Sequence, residues 1–247
     1  MTNAEPTTDE EERQREIRRS RSRWKKLSRK RLIKRKLSTK NLERLCRENA
    51  TTEPTIIVHS EDVDYSEYFP NAFTLSKRTE KPADMYVDKH YRDLGTIEPE
   101  SFNVALCTGL LEHVPDPQRL VDDLHRVLKP GGTVIMSASA VFSYHEGPEN
   151  YFMFTTWGMK HLFRDWSEIK SVNGSSQPFE TVGILMQRAL MQCDINPFVR
   201  PLIEVLALAI PVFDRAVSDQ FDSTWKYSDD HKVDSMMPSN VQLVAVK

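Results

Sequence analysis

Apolar positions along the chain recur with two different periods. Short runs of branched or bulky apolar residues occupy 55–58 (Thr-Ile-Ile-Val), 72–75, 84–87, 102–107 (Phe-Asn-Val-Ala-Leu-Cys), 133–137 (Thr-Val-Ile-Met-Ser), 168–172 and 241–246. Runs of this length predict strands, most of them buried as in a parallel sheet. Between them lie stretches with helical spacing. In 116–128 the apolar residues are Leu120, Val121, Leu124, Val127 and Leu128, with Pro117 in the first turn. Lys129-Pro130-Gly131-Gly132 then stops the helix and returns the chain tightly into the strand at 133. A second amphipathic helix is predicted over 156–165. Residues 182–218 predict two helical segments separated by Asn196-Pro197, an insert before the last strand. Met186, Met191, Phe198 and Phe213 of this region read most simply as core, or as a lid over an apolar acceptor.

Strands alternating with helices predict an α/β fold with a largely parallel sheet. Ligands in such sheets bind beyond the carboxyl ends of the strands. Candidate ligand contacts are therefore sought in the residues just past Val58, Leu75, Val87, Cys107 and Ser137.

The charge distribution divides the chain. Residues 1–50 carry 17 Lys and Arg against 8 Asp and Glu, a net +9; residues 51–247 carry 17 against 28, a net −11. The basic residues concentrate in 13–36, with 14 of them against one acid, Glu16. The expected organisation is a disordered acidic tail (1–12), a basic helical arm (13–53) and an acidic body (54–247). The arm is expected to form one helix, or two broken near Ser38-Thr39. Its roles stay open: a solvated helix packed on the body, a phosphate-binding arm for RNA or DNA, or a contact with another polyanion or an anionic membrane surface. No signature of base-specific recognition accompanies it.

Composition removes several function classes. Cys46, Cys107 and Cys193 form an odd set without close spacing, which argues against a disulfide framework. The seven histidines show no zinc-type spacing, so no metal is expected. The first 50 residues hold no apolar leader core, and the longest apolar run, 202–213, is interrupted by Glu204 and Pro211. A soluble, cytoplasmic protein without a transmembrane segment is the expectation. Glycine occurs 8 times and first at Gly95, so no glycine-rich phosphate loop precedes that point.

The segment 101–132, with Leu111-Glu112-His113-Val114 and Arg126-Val127-Leu128-Lys129-Pro130-Gly131-Gly132, resembles the centre of class I S-adenosylmethionine-dependent methyltransferases of the type 11 group. The resemblance resumes at 144–158 and covers roughly 54–247. It implies a Rossmann-like, seven-stranded, mostly parallel sheet. It also implies an S-adenosylmethionine cofactor and methyl transfer to a small-molecule, glycan or lipid-linked acceptor. The chain departs from the family where donor contacts are expected. His59-Ser60-Glu61 stands where the family carries Gly-x-Gly, and no acid follows Leu75 until Glu80. These departures support a rival expectation, a catalytically inactive scaffold or partner subunit.

By this resemblance His59, Ser60, Glu61, Asp88, Thr108 and Gly109 are the candidate cofactor contacts, Asp88 lying near the adenine. Glu112, His113 and His145 are the candidate catalytic groups, since methyl transfer needs positioning and, for some acceptors, removal of a proton. Glu112 and His113 have an alternative role, bracing the following helix, and His145 one in loop packing. Tyr144 and Tyr151 are the candidate acceptor contacts.

Overall fold

A computed structural model describes residues 37–58, 64–77, 79, 82–88, 90–224 and 227–247. The tail, the basic stretch 13–36 and the His59-Ser60-Glu61 segment lie outside the described residues.

The first described element is helix α1 (Leu37–Glu48), and the expected break near Ser38-Thr39 falls at its start, beside residues outside the described ones. It is not an arm. Leu45 and Cys46 are buried in one cluster with Ile57, Leu106, Ile135 and Val244 of the sheet. The Gln242 side-chain amide donates to the Asn41 carbonyl (3.2 Å). Burial pushes the Cys46 thiol up to about 11. By its packing, α1 joins the body's sheet.

The strands are β1 (Thr55–Val58), β2 (Ala72–Ser76), β3 (Met85–Tyr86), β4 (Phe102–Thr108), β5 (Leu128–Ser139), β6 (Glu168–Gly174) and β7 (Asn240–Val246). They form one sheet in the order β3-β2-β1-β4-β5-β7-β6, with β7 antiparallel to both neighbours. This is the seven-stranded, mostly parallel, Rossmann-like architecture of class I methyltransferases. The chain builds outward from β1 to β3, then returns to add β4 on the other side of β1. That reversal opens a crevice at the carboxyl ends of β1 and β4.

Helix α2 (Pro117–Val127) follows its sequence pattern closely. Leu120, Val121, Leu124 and Val127 are buried, and the Asp116 carboxylate caps the helix by accepting from the Arg119 N–H (3.2 Å). Each such side chain contributes about 1.5–3 kcal/mol by leaving water. The expected turn after it is instead a bulge inside β5. Pairing jumps from Phe102 opposite Leu128 to Val104 opposite Thr133. Gly131 sits at φ +76°, and a Cβ on Gly132 would lie 2.8 Å from the Lys129 carbonyl and 3.1 Å from that of Asn103. Only glycine fits there.

Beyond the short helix α3 (Thr156–Leu162) and β6, the insert forms α4 (Pro178–Gln192) and α5 (Arg200–Ala209). The core-packing expectation fails here. Of the four residues expected in the core, Met191, Phe198 and Phe213 are exposed and Met186 is half-buried, and α5 turns Leu202, Val205 and Leu206 outward. Its Arg200–Glu204 ion pair (2.9 Å) is buried instead. Among the described residues no helix is long and apolar enough to cross a membrane.

Candidate functional site

β4 delivers its chain to the crevice at Thr108, and Gly109, at φ +62°, turns it into a short helical segment, Leu111–His113. Leu110 through Val114 are all buried, so Glu112 and His113 are held in the core and not at the surface. Glu112 is 1% exposed. Its Oε1 accepts from the Ser139 hydroxyl (2.6 Å) and from the Ser139 N–H (3.2 Å) at the end of β5. Its Oε2 is buried with no hydrogen-bond partner among the described residues. A buried carboxylate oxygen in that state is costly unless something cationic faces it.

His145 comes from the loop after β5. Its Nε2 lies 3.1 Å from His113 Nε2 and 4.0 Å from Glu112 Oε1. The other nitrogen of each ring is committed: His113 Nδ1 to the Glu149 carbonyl (2.7 Å) and His145 Nδ1 to the Ser143 carbonyl (3.0 Å). A carbonyl oxygen only accepts, so both Nδ1 atoms carry hydrogen. In the neutral rings the two Nε2 lone pairs then face each other beside a carboxylate. Burial pushes the His145 imidazole below its ordinary value, His113 and Arg188 adding to this, while the Ser143 carbonyl and Glu112 oppose it. The three side chains form a site that attracts a positive charge.

The loop is fastened from several sides. The N–H groups of Tyr151 (2.8 Å) and Phe152 (3.3 Å) donate to the Glu112 carbonyl. From α4, Arg188 Nε donates to the Ser143 hydroxyl (2.8 Å) while its guanidinium covers the Phe142 ring. Gln192 donates to the Tyr144 carbonyl (2.5 Å). The Tyr144 side chain is 84% exposed and that of Tyr151 45%, both on the rim.

The other side of the crevice is built differently. Thr108 Oγ1 is hydrogen-bonded to the Tyr65 hydroxyl (2.8 Å) in a buried pair. Gly109 donates its N–H to the Ser137 carbonyl (2.8 Å), and a Cβ there would meet nothing within 4 Å. Among the described residues, nothing fills the space beside Gly109 at the end of β4. Asp88, past β3, accepts from the Arg92 N–H (2.5 Å). Lys77, where the resemblance places an acid, pairs with Glu146 of the His145 loop (3.3 Å). The described residues leave room beside Gly109 for the cofactor the resemblance implies, and after β2 they offer Lys77 where that resemblance implies an acid.

The fold gathers Glu112, His113 and His145, whose ligand atoms all lie within 4.8 Å of one another, although 32 residues separate the two histidines. Sequence spacing does not reveal this, because the contact is made across the loop. Ser139, Tyr65 and Arg188 also escape sequence reasoning. Ser139 has one available signal, its place at the end of an apolar run past a carboxyl edge. A groove of about 130 Å³ near His90, Arg92, Asp116 and Asp123 includes none of the three clustered side chains.

Comparison with known proteins agrees with the topology. Residues 38–136 match the family model described as a methyltransferase domain. A ubiquinone biosynthesis O-methyltransferase from Pseudomonas syringae is 37% identical over 70 residues, 28% of this chain and 28% of that protein. The chain thus aligns with little more than a quarter of that relative's length. Among solved structures, an S-adenosylmethionine-dependent methyltransferase from Archaeoglobus fulgidus superposes with a TM-score of 0.53 at 12% identity, covering 87% of this chain and 95% of that one. The cyclase SpnF superposes with a TM-score of 0.51 at 15% identity, covering 83% and 80%. These likenesses establish the fold.

Proposed function

We propose that this chain, a member of the class I S-adenosylmethionine-dependent methyltransferase family through its 38–136 domain, transfers a methyl group to a hydroxyl of a small molecule. The observation that carries the reading is the buried Glu112–His113–His145 cluster at the carboxyl ends of β4 and β5. A hydroxyl is a poor nucleophile until it loses its proton. Two facing imidazole lone pairs provide the place for that proton, and the Glu112 carboxylate stabilises the imidazolium that results. The cluster is prearranged, since both rings and the carboxylate are held by backbone or by Ser139. Support for an oxygen acceptor comes from the O-methyltransferase name of the aligned relative. The exposed Tyr144 and Tyr151 provide the acceptor rim.

S-adenosylmethionine, when bound, supplies the electrophilic methyl group. Gly109, Thr108 and Asp88 are the described residues proposed to border it, with His59, Ser60 and Glu61 completing the contact from beyond β1. Calorimetric titration with S-adenosylhomocysteine, followed by transfer of labelled methyl to a panel of phenolic and aliphatic alcohols, tests the reading. Saturable binding with transfer that disappears in Glu112→Gln supports it. Absence of heat at millimolar ligand sinks it and returns the rival scaffold role. Retention of the full chain on heparin, lost when 13–36 is deleted, tests the proposed polyanion contact.

A further inference from the structure

We propose that Glu112, His113 and His145 form a binding site for a divalent first-row transition-metal ion, with zinc as the best match to the ligand set. Four observations meet at this point. The two Nε2 atoms face each other at 3.1 Å, and both Nδ1–H groups are already spent on backbone carbonyls. That arrangement brings the two Nε2 lone pairs close together, and such a contact is repulsive unless a proton or a cation lies between them. An ion about 2.0–2.1 Å from each nitrogen subtends an angle of about 100° between them, within the range tetrahedral and five-coordinate zinc accepts.

The third observation is the carboxylate. Glu112 Oε2 is buried and has no partner among the described residues, while Oε1 is held by Ser139. Oε1, fixed by its outer partner Ser139, lies 4.0 Å from His145 Nε2, within reach of an ion shared with the two rings, and hydrogen-bonded carboxylates are usual at metal sites. The fourth is that each histidine's far nitrogen donates to a backbone carbonyl, which fixes tautomer and ring plane as outer partners of metal-bound histidine do. Two imidazoles and one carboxylate select transition ions over magnesium or calcium, which favour all-oxygen surroundings.

The ion takes the place that a shared proton takes in its absence. Three protein ligands leave at least one position open, as in catalytic rather than structural zinc sites. With the ion bound, the imidazole lone pairs no longer take the acceptor's proton; the open position suits the acceptor's hydroxyl oxygen, which the ion would acidify so that its proton leaves to solvent, and this clause alone rests on the methyl-transfer reading. The metal site itself rests on geometry.

The test uses the full chain, stripped with chelator and titrated with Zn²⁺ by calorimetry and with Co²⁺ by visible absorption. One equivalent per chain is expected, with cobalt bands that Zn²⁺ abolishes. His145→Ala, on a loop and not in the core, is expected to weaken Zn²⁺ binding more than about 100-fold while the metal-free fold, read by circular dichroism, is unchanged. Ser139→Ala weakens it about 10- to 100-fold through Glu112. Cys193→Ser, which removes an exposed thiol, leaves it unchanged. No uptake of either ion overturns the proposal, as does uptake undiminished in His145→Ala or lost in Cys193→Ser. Binding is read without the methyl donor. A chain that takes zinc but not S-adenosylhomocysteine therefore rejects only the methyl-transfer reading, and the converse rejects only the metal.

Discussion

The two sides of the crevice are built to different standards. At the β4–β5 side, Leu110 through Val114 are buried and each polar group of the cluster is oriented by backbone or by Ser139. At the β1–β2–β3 side, β3 is two residues long, Tyr86 is exposed, and the first strand leads into His59-Ser60-Glu61 without a glycine. On the methyl-transfer reading proposed above, the second side faces the donor. On that reading the contrast separates proton removal from donor binding, and the side given to proton removal is the more fully specified.

Breaking the specified side has the largest expected effect. Glu112→Gln keeps shape but removes the charge that stabilises an imidazolium, and methyl transfer is expected to fall about 10²- to 10⁴-fold. Donor affinity, read by calorimetry, stays within about twofold. If transfer survives Glu112→Gln, the cluster is structural and the comparison loses its meaning. The bulge in β5 comes next. It sets the register that puts Ser137 opposite Thr108 and so brings Ser139 to Glu112. Gly132→Ala forces a Cβ against two carbonyls and is expected to cost about 1–3 kcal/mol in denaturant unfolding. Gly109→Ala meets no neighbour but must hold φ +62°, so about 1–2 kcal/mol is expected.

The donor side is sharpened by restoring what it lacks. The double change His59→Gly with Glu61→Gly supplies a permissive backbone where the family carries glycine. Affinity for S-adenosylhomocysteine is expected to rise about tenfold, roughly 1.4 kcal/mol. Unchanged or weaker binding would show that these side chains make contacts of their own, and that the donor side is rebuilt and not impoverished.

Much of the fold is legible in the pattern of apolar residues. The seven strands and α2 follow from local runs and spacing, because buried strands and amphipathic helices write their environment into adjacent residues. α1 is legible as a helix but not as part of the body, since its charge disguises the few apolar residues, Leu45 and Cys46, that dock it. The exposed apolar face of α5 inverts the usual rule, with Arg200 and Glu204 inward, and periodicity alone does not say which face is buried. At the site, Glu112 and His113 are marked by their place after a strand. Their union with His145 is not, because it depends on a loop pinned by Arg188, Gln192 and the Glu112 carbonyl.

The smallest expected effect lies at the edge of the donor side, where polar bonds do what burial does elsewhere. Asp84 Oδ2 accepts from the Thr74 N–H (2.8 Å) and hydroxyl (2.7 Å), while the Asp84 N–H donates to the Thr74 carbonyl (3.1 Å), tying the start of β3 to β2. The Thr74 N–H and hydroxyl hold the Asp84 carboxyl below the usual carboxylate range. A pKa lowered on folding means that the stabilisation is present above the unfolded value and fades as pH falls through the folded one. The site is exposed, so solvent screening limits the gain to about 0.5 kcal/mol. Asp84→Ala is therefore expected to lower stability slightly at pH 7, and the difference from the parent chain should shrink below about pH 4, in denaturant titrations at both pH values. A difference that persists undiminished in acid would assign the effect to the hydrogen bonds and packing of the uncharged side chain. The short third strand would then owe nothing to the charge at its entrance.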